Sequence, residues 1–356
     1  MRIAQVAPLF ESVPPTRYGG TERIVHYLTE ELVRRGHDVT LYASGDSDTS
    51  AELVACTPIA LRLGVEYTDA SVYEVAQLER VFRDAHRFDI IHFHTGHLHY
   101  PTTRRLGIPH VTTQHGRLDM PELKHLYRAF HDTPVVSISD AQRKPVPHAN
   151  WQATVHHGLP LGLYRPNMRG GDYFAFIGRI SPEKRVDRAI RIAEAVGVPL
   201  RIAAKVDPAD RAYYEREIRP MLDSPLVEFV GEVNDEGKQA LVGGAKALLF
   251  PIDWPEPFGL VMIEAMACGT PVIAWRNGSV PEVMEHGVSG LVVDSMEEAI
   301  EAARHVGRID RAGCRRCFEQ RFSASRMAED YERIYRHLII DGRGSHRPHR
   351  RSLIGA

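Results

Sequence analysis

Short apolar runs bounded by turn residues recur along the chain, and most are followed by stretches with apolar residues at helical spacing. The first run covers residues 3–7. A Pro- and Gly-rich loop at 8–20 follows, and Thr21 stands where a helix N-cap would, ahead of Ile24, Leu28 and Leu32 with Val25 beside them. Gly36 supplies a stop signal, and residues 39–43 form the next run, which completes one strand–helix–strand unit. Further strands are predicted at 88–93, 109–113 and 135–138. After a loop at 161–171 the pattern restarts at 173–177 and continues at 200–203, 227–230, 247–250, 272–274 and 291–293. Apolar runs alternating with helices predict parallel sheets covered on both faces. The restart places the domain boundary within the 161–171 loop, giving domains over 1–164 and 165–322. Met327, Tyr331, Ile334, Tyr335 and Leu338 recur at helical intervals, so a packed terminal helix is expected over 323–340. The tail at 341–356, rich in Arg, His, Gly and Ser, is expected to be disordered.

At 356 residues the chain is long enough for two cores, at about 150 residues per domain. With 43% hydrophobic and 25% charged residues it has the composition of a water-soluble enzyme. No apolar run approaches the roughly 20 residues of a membrane span, which excludes an integral membrane segment and leaves room only for peripheral contact. The opening residues read as a strand instead of a signal peptide, so a cytoplasmic protein is expected. A net charge of −2, from 44 basic and 46 acidic side chains, offers no general attraction to a polyanion, and nucleic acid is not an expected partner. Cys314 and Cys317 have the spacing of half a zinc site but no second pair, and Arg315 and Arg316 between them read as ordinary helix.

Chemistry concentrates in residues 250–271, Phe-Pro-Ile-Asp-Trp-Pro-Glu-Pro-Phe-Gly-Leu-Val-Met-Ile-Glu-Ala-Met-Ala-Cys-Gly-Thr-Pro. A strand ends there, a proline-stiffened turn holds Glu256, and a helix is expected to start near Pro257 with Glu264 about two turns in. Phe258, Gly259 and Leu260 bring free backbone N–H groups to the helix N-terminus, where Gly259 removes a side chain that would keep an anion away. The arrangement suits a diphosphate. Beside such an anion a carboxylate is useful only as an acceptor for sugar hydroxyls, the role expected of Glu256, with Glu264 doing likewise for a ribose. Four histidines at 92, 94, 97 and 99 could ligate zinc, but His92 and His94 share a strand face while His97 and His99 follow Gly96 in a loop, so no metal site is expected.

The Glu256-x7-Glu264 spacing around Pro-Phe-Gly-Leu resembles glycosyltransferase family 4, retaining enzymes of the GT-B fold. The resemblance covers nearly the whole chain up to about Ile340. It implies two Rossmann-like doubly wound domains facing a cleft, with the terminal helix crossing back to complete the N-terminal domain. It also implies transfer of a sugar from a nucleoside diphosphate sugar, UDP-linked sugars among them, to an acceptor hydroxyl. The sugar keeps its α configuration, no metal takes part, and the leaving phosphate helps to deprotonate the incoming hydroxyl. The nucleotide sugar is then a substrate, and no cofactor is expected.

Residue by residue, the Phe176-Ile-Gly-Arg-Ile-Ser-Pro-Glu-Lys stretch matches the family's diphosphate clamp, which assigns Arg179 and Lys184 to the leaving group. Tyr18-Gly19-Gly20-Thr21-Glu22-Arg23 matches the glycine turn that in the family brings backbone amides close to the diphosphate or the acceptor, and Gly19 and Gly20 are expected at the donor. Gln114-His115-Gly116 matches the cleft histidine, which assigns His115 to the transferred sugar, and His94 at a strand end is expected on the acceptor side. Two stretches depart from the pattern, His156-His157-Gly158 and Asn277-Gly278-Ser279-Val280-Pro281-Glu282. Neither the base, the donor sugar nor the acceptor (sugar, glycan, lipid or small molecule) is legible in a motif. Two rivals stand beside transfer: an epimerase or hydrolase of the same fold, which would need further acid and base carboxylates around the sugar, and a catalytically silent sugar-nucleotide-binding protein.

Overall fold

The computed structural model describes residues 1–16, 19–64 and 69–345. Tyr18 of the glycine turn and residues 346–356 of the expected tail lie outside the described residues.

Among the described residues the chain builds two parallel sheets. The first has seven strands, β1 (Arg2–Val6), β2 (Asp38–Ser44), β3 (Glu52–Thr57), β4 (Ile90–Phe93), β5 (His110–Thr113), β6 (Pro134–Ser137) and β7 (Asn150–Thr154), in the order β3-β2-β1-β4-β5-β6-β7. The second has six, β8 (Phe174–Arg179), β9 (Leu200–Lys205), β10 (Val227–Phe229), β11 (Ala247–Phe250), β12 (Val272–Trp275) and β13 (Gly290–Val293), in the order β10-β9-β8-β11-β12-β13. In each sheet the chain winds outward on one side and then returns to the middle to wind the other way. The reversals fall between β1 and β4 and between β8 and β11. Such switch points leave a crevice at the carboxyl ends of the strands, where open α/β sheets bind ligands.

Eleven of these strands coincide with the apolar runs of the sequence. The other two, β3 and β7, are edge strands only half buried along most of their length, so neither presents a continuous apolar run. Three boundaries also differ from expectation. The first helix (Gly20–Arg34) is capped by Gly19, at φ 159°, with Thr21 inside the first turn. The helix after β11 starts at Leu260, not near Pro257, and spans Leu260–Ala267, which puts Glu264 one turn in instead of two. The terminal helix runs over Ala324–Ser345, five residues beyond its expected end. Among the described residues no helix is long and apolar enough to cross a membrane.

The terminal helix lies against the Gly20–Arg34 helix and β4. It buries Met327, Tyr331 and Tyr335, and Glu332 ties it to Arg35 at 2.6 Å and His37 at 2.9 Å. The chain passes between the two sheets twice, and the passages hold each other: Leu159 N donates to Phe322 O and Ala324 N to Leu159 O, each at 2.8 Å.

Candidate active site

Between the two sheets lies a cleft of about 830 Å³, bounded by the ends of β4, β8 and β11 and by the first turns of the Gly20–Arg34 and Leu260–Ala267 helices. Gly19, Gly20, His94, His115, Arg179, Lys184, Glu256, Phe258, Gly259, Leu260 and Glu264 all line it. The site residues read from sequence therefore converge on one cavity, although they come from segments more than 200 residues apart.

The glycines set how closely backbone can approach. A Cβ on Gly20 would stand 3.4 Å from Leu260 Cδ1 of the other domain, so the two helix starts nearly touch across the cleft. Gly259 sits at φ 80°, where a Cβ would meet Met262 Cε at 2.7 Å. That left-handed conformation turns the chain into the helix, whose first amides have no acceptor within it and face the cavity as a partial positive charge.

Two lysine–carboxylate pairs flank this helix start. Lys184 Nζ bonds Glu256, which also accepts from Trp254 Nε1 at 3.0 Å, and Lys184 lies 4.9 Å from the Trp254 ring centroid. Lys238 Nζ, from the helix Asp235–Gly243, donates to Glu264 at 2.7 Å. Lys238 carries no motif, and only the fold brings it to Glu264, 26 positions away in sequence. Arg179 leaves the end of β8 among Glu183, Asp207 and Asp210, at 3.5, 3.7 and 3.5 Å. Its Nε is buried with no hydrogen-bond acceptor among the described residues. Three long contacts hold a guanidinium more loosely than one bidentate pair, so an anion can compete for it.

The departing stretch at 277–282 stands behind the Glu256 turn as a brace. Asn277 Nδ2 donates to Ile252 O at 3.0 Å, Ser279 N to Glu256 O at 2.9 Å and Ser279 Oγ to Phe258 O at 2.8 Å. Gly278, at φ 55°, would place a Cβ 2.3 Å from Glu256 O, so only glycine lets this loop close on the turn. Glu282 crosses to the first domain, accepting the Asp140 and Ala141 amides at 2.7 Å each. His157, from the other departing stretch, is buried and stacks on His115 with ring centroids 5.3 Å apart.

On the first-domain side His115 Nε2 lies 2.9 Å from His94 Nδ1, and His94 Nε2 lies 2.7 Å from Gln5 Oε1. Both ring nitrogens of His94 are therefore engaged within the protein. Those of His92 are too, by Tyr335 at 2.6 Å and Thr113 at 2.7 Å, while His99 Nε2 bonds Thr112 at 2.7 Å. The histidine cluster spends these nitrogens on protein partners. Burial pushes His115 down to about 3, so the ring is neutral at physiological pH. Beyond the histidines the same wall carries Glu22, pushed up to about 7 by burial, and Glu74, Gln77 and Thr95, each with a buried oxygen lacking a partner among the described residues. Sequence reading gave none of these four a role: Glu22 lies in the glycine-turn stretch and Thr95 among the histidines at 92–99, but neither was assigned, and Glu74 and Gln77 belong to no motif. Cys314 and Cys317 lie in the helix Arg311–Arg321 as free thiols away from the cavity.

Two family models match the chain, Glycosyltransferase Family 4 over residues 18–140 and Glycosyl transferases group 1 over 167–310, one in each domain. Curated relatives include a D-inositol 3-phosphate glycosyltransferase of Saccharomonospora viridis, 27% identical with 92% of this chain and 91% of that protein covered. Another is an alpha-maltose-1-phosphate synthase of Mycolicibacterium smegmatis, 26% identical with 93% and 99% covered. Among solved structures, AviGT4, a glycosyltransferase involved in avilamycin A biosynthesis, matches with a TM-score of 0.74 at 25% identity, covering 96% of this chain and 98% of that one. Anabaena HepE in complex with UDP-glucose matches with a TM-score of 0.70 at 17% identity, covering 95% and 100%. Two sheets that meet at their switch points, a clamp of cations around a helix start, and a family model on each domain lead to one assignment: the chain belongs to glycosyltransferase family 4 and is a retaining glycosyltransferase of the GT-B fold that uses a nucleotide-sugar donor.

Proposed function

We propose that the donor diphosphate sits at the start of the Leu260–Ala267 helix, between Arg179, Lys184 and the Gly259 and Leu260 backbone. The observation that carries this reading is the convergence of those cations and amides on one cavity wall. When the diphosphate enters, Lys184 exchanges part of its bond to Glu256 for the phosphate, and Glu256 is freed to accept hydroxyls of the transferred sugar. Glu264, held by Lys238, accepts from the ribose. Gly19 and Gly20 give the backbone room to approach the same phosphates, while Phe258 packs behind them against His157, 4.8 Å between ring centroids. As the bond to the anomeric carbon breaks, negative charge grows on the departing phosphate, and the fixed cations and amides gain strength where they already point.

The acceptor enters from the first-domain wall of Glu22, Glu74, Gln77, Thr95 and His94. His115 contacts the transferred sugar as a neutral ring. Because burial holds it far below neutral pH, it does not serve as the general base, and the leaving phosphate takes the proton of the incoming hydroxyl. The working unit is then a first domain of residues 1–164 completed by the terminal helix and a donor-binding domain of residues 165–322, acting in the cytoplasm, where free thiols such as Cys268, Cys314 and Cys317 persist.

A panel of UDP-, GDP- and ADP-sugars screened by thermal shift tests the donor reading, with UDP-glucose leading because HepE is solved with it. A ligand at 100 times its Kd stabilises by about 2.7 kcal/mol, so the true nucleotide stands out. Proton NMR of the product from an α-linked donor is expected to show an α-linkage. A β-linked product would make His115 a base and overturn the account of its role.

A further inference from the structure

Behind the cleft, seven polar side chains form one hydrogen-bonded chain, of which the reading above uses only the two at the cavity end, His115 and His94. From the cavity inward it runs His115, His94, Gln5, Tyr335, His92, Thr113 and Tyr331. The links are 2.9 Å from His115 Nε2 to His94 Nδ1, 2.7 Å from His94 Nε2 to Gln5 Oε1 and 3.2 Å from Gln5 Nε2 to Tyr335 Oη. They continue at 2.6 Å from Tyr335 Oη to His92 Nδ1, 2.7 Å from His92 Nε2 to Thr113 Oγ1 and 2.8 Å from Thr113 Oγ1 to Tyr331 Oη. Gln5, Tyr335, His92, Thr113 and Tyr331 are at most 1% exposed. Two of the seven come from the terminal helix, so it reaches under β1, β4 and β5 to within three hydrogen bonds of the cavity.

Such a chain is self-consistent in two directions, since every imidazole has one donor and one acceptor nitrogen when neutral, and the Gln5 amide decides between them. An N–H···O bond spans about 2.7–3.2 Å and an O–H···O bond about 2.5–3.0 Å. The 3.2 Å link to Tyr335 is therefore an amide N–H donating to Tyr335 Oη. The Gln5 carbonyl faces His94, so His94 Nε2 carries the proton and His94 Nδ1 is a bare lone pair. His115 Nε2 must then carry a proton and donate it to His94 Nδ1. On the other side Tyr335 donates to His92 Nδ1, and His92 Nε2–H donates to Thr113. The only polar atom of the His115 ring left over is Nδ1, a lone pair buried without a partner among the described residues.

We propose that Gln5 and Tyr335 are positioning residues that act through His94 to lock His115 in the Nε2–H tautomer, so that it can only accept a hydrogen bond from a bound sugar hydroxyl and cannot donate one. The contact between His115 and the sugar rests on the donor reading above, whereas the locked tautomer does not. The lock leaves Nε2 no part in proton transfer, because its hydrogen is already committed to His94. It also makes the C-terminal helix part of the site's support.

The test is a long-range proton–nitrogen NMR spectrum of the full chain labelled at histidine, with His94 and His115 assigned by the loss of their signals in His94→Asn and His115→Asn. Both rings are expected as neutral Nε2–H tautomers that do not titrate across neutral pH. A proton on Nδ1 of His115 overturns the proposal. Gln5→Leu removes the carbonyl that holds His94 and is expected to shift the signals of both rings and to lower kcat about tenfold with little change in donor KM. Gln5→Glu, protonated in that buried setting, restores one carbonyl acceptor and one O–H donor and should return both signals and rate. Unmoved signals in Gln5→Leu overturn the proposal, as does loss of the tautomer signature in a folded Gln5→Glu. Should Gln5→Leu not fold, Tyr335→Phe removes the next link and the wild-type spectrum still decides. Since the tautomers are read without substrate, failure of the donor reading would appear as absent transfer with the spectra unchanged.

Discussion

Arg179 and Lys184 differ in what holds them before a donor arrives: three carboxylates at 3.5–3.7 Å for the arginine, one close carboxylate for the lysine. Replacing both by alanine is expected to cost about a hundredfold to a thousandfold in transfer rate while the chain still folds, because both side chains line a cavity instead of filling a core. Steady-state kinetics alongside circular dichroism checks this, and a merely twofold effect would remove the pair from the site. On the proposed function the same cations are expected to take the place of a metal. Arg179, Lys184, Lys238 and the helix start already supply the positive field a divalent ion would bring, so a chelator should leave the rate nearly unchanged. Full inhibition by chelator, reversed by manganese or zinc, would contradict that. Much of this wall was legible in the sequence because Glu256, Gly259 and Glu264 lie within ten residues of one another and Arg179 follows a strand. Lys238 and Gln77 were not, because their roles depend on which helix packs beside which strand and no local spacing records that.

Among the elements, the terminal helix shows how a charge on its flank becomes a stability term. Arg35 and, after it, the desolvation that opposes it and the His37 bond set Glu332, whose carboxyl is held at about 2 against an ordinary 4.5. A carboxylate with a depressed folded-state pKa stabilises fully above its unfolded pKa, and that contribution drains as pH falls from about 4.5 towards 2. Glu332→Gln is therefore expected to destabilise by on the order of 3 kcal/mol at neutral pH, and the gap from wild type should close as denaturant unfolding is repeated at falling pH. A gap that stayed constant would mean the bonds to Arg35 and His37 do not carry it. The helix itself was visible in the spacing of Tyr331 and Tyr335, but its end at Ser345 was not, since the Arg-, His-, Gly- and Ser-rich stretch from 341 on reads by composition as a disordered tail. β3 and β7 stayed hidden for the complementary reason: at a sheet edge, one half-buried face is enough and the sequence need not be apolar throughout.

For the whole molecule, the cleft depends on how two domains are held: one apolar cluster runs from the first-domain core through Leu159, Tyr164 and Phe322 into the second, and polar contacts span the mouth. Arg23 pairs with Asp235, Arg117 reaches Glu183 at 3.3 Å, and Glu282 takes the Asp140 and Ala141 amides at 2.7 Å each. Behind them the two chain passages run side by side at Leu159 and Ser323, where Gly158 leaves no space for a Cβ, 2.3 Å from Ser323 O. A tight pivot with a few ion pairs at the mouth is the arrangement expected of domains that rock about a fixed hinge. The Glu282 carboxylate presents two acceptor oxygens to two backbone donors, and its pKa is lowered by the His156 bond and by those amides against the cost of burial. Glu282→Gln replaces one acceptor by a donor facing a backbone N–H, so one bond is lost and a repulsion takes its place. In small-angle scattering the substituted protein without ligand should show a larger radius of gyration than wild type. The nucleotide identified in the donor panel should bring it back, because a ligand touching both walls favours the closed form by its differential affinity. Donor KM should rise several-fold and kcat change little once the site is saturated. An unchanged radius together with a lowered kcat would place Glu282 in the chemistry instead of in the latch.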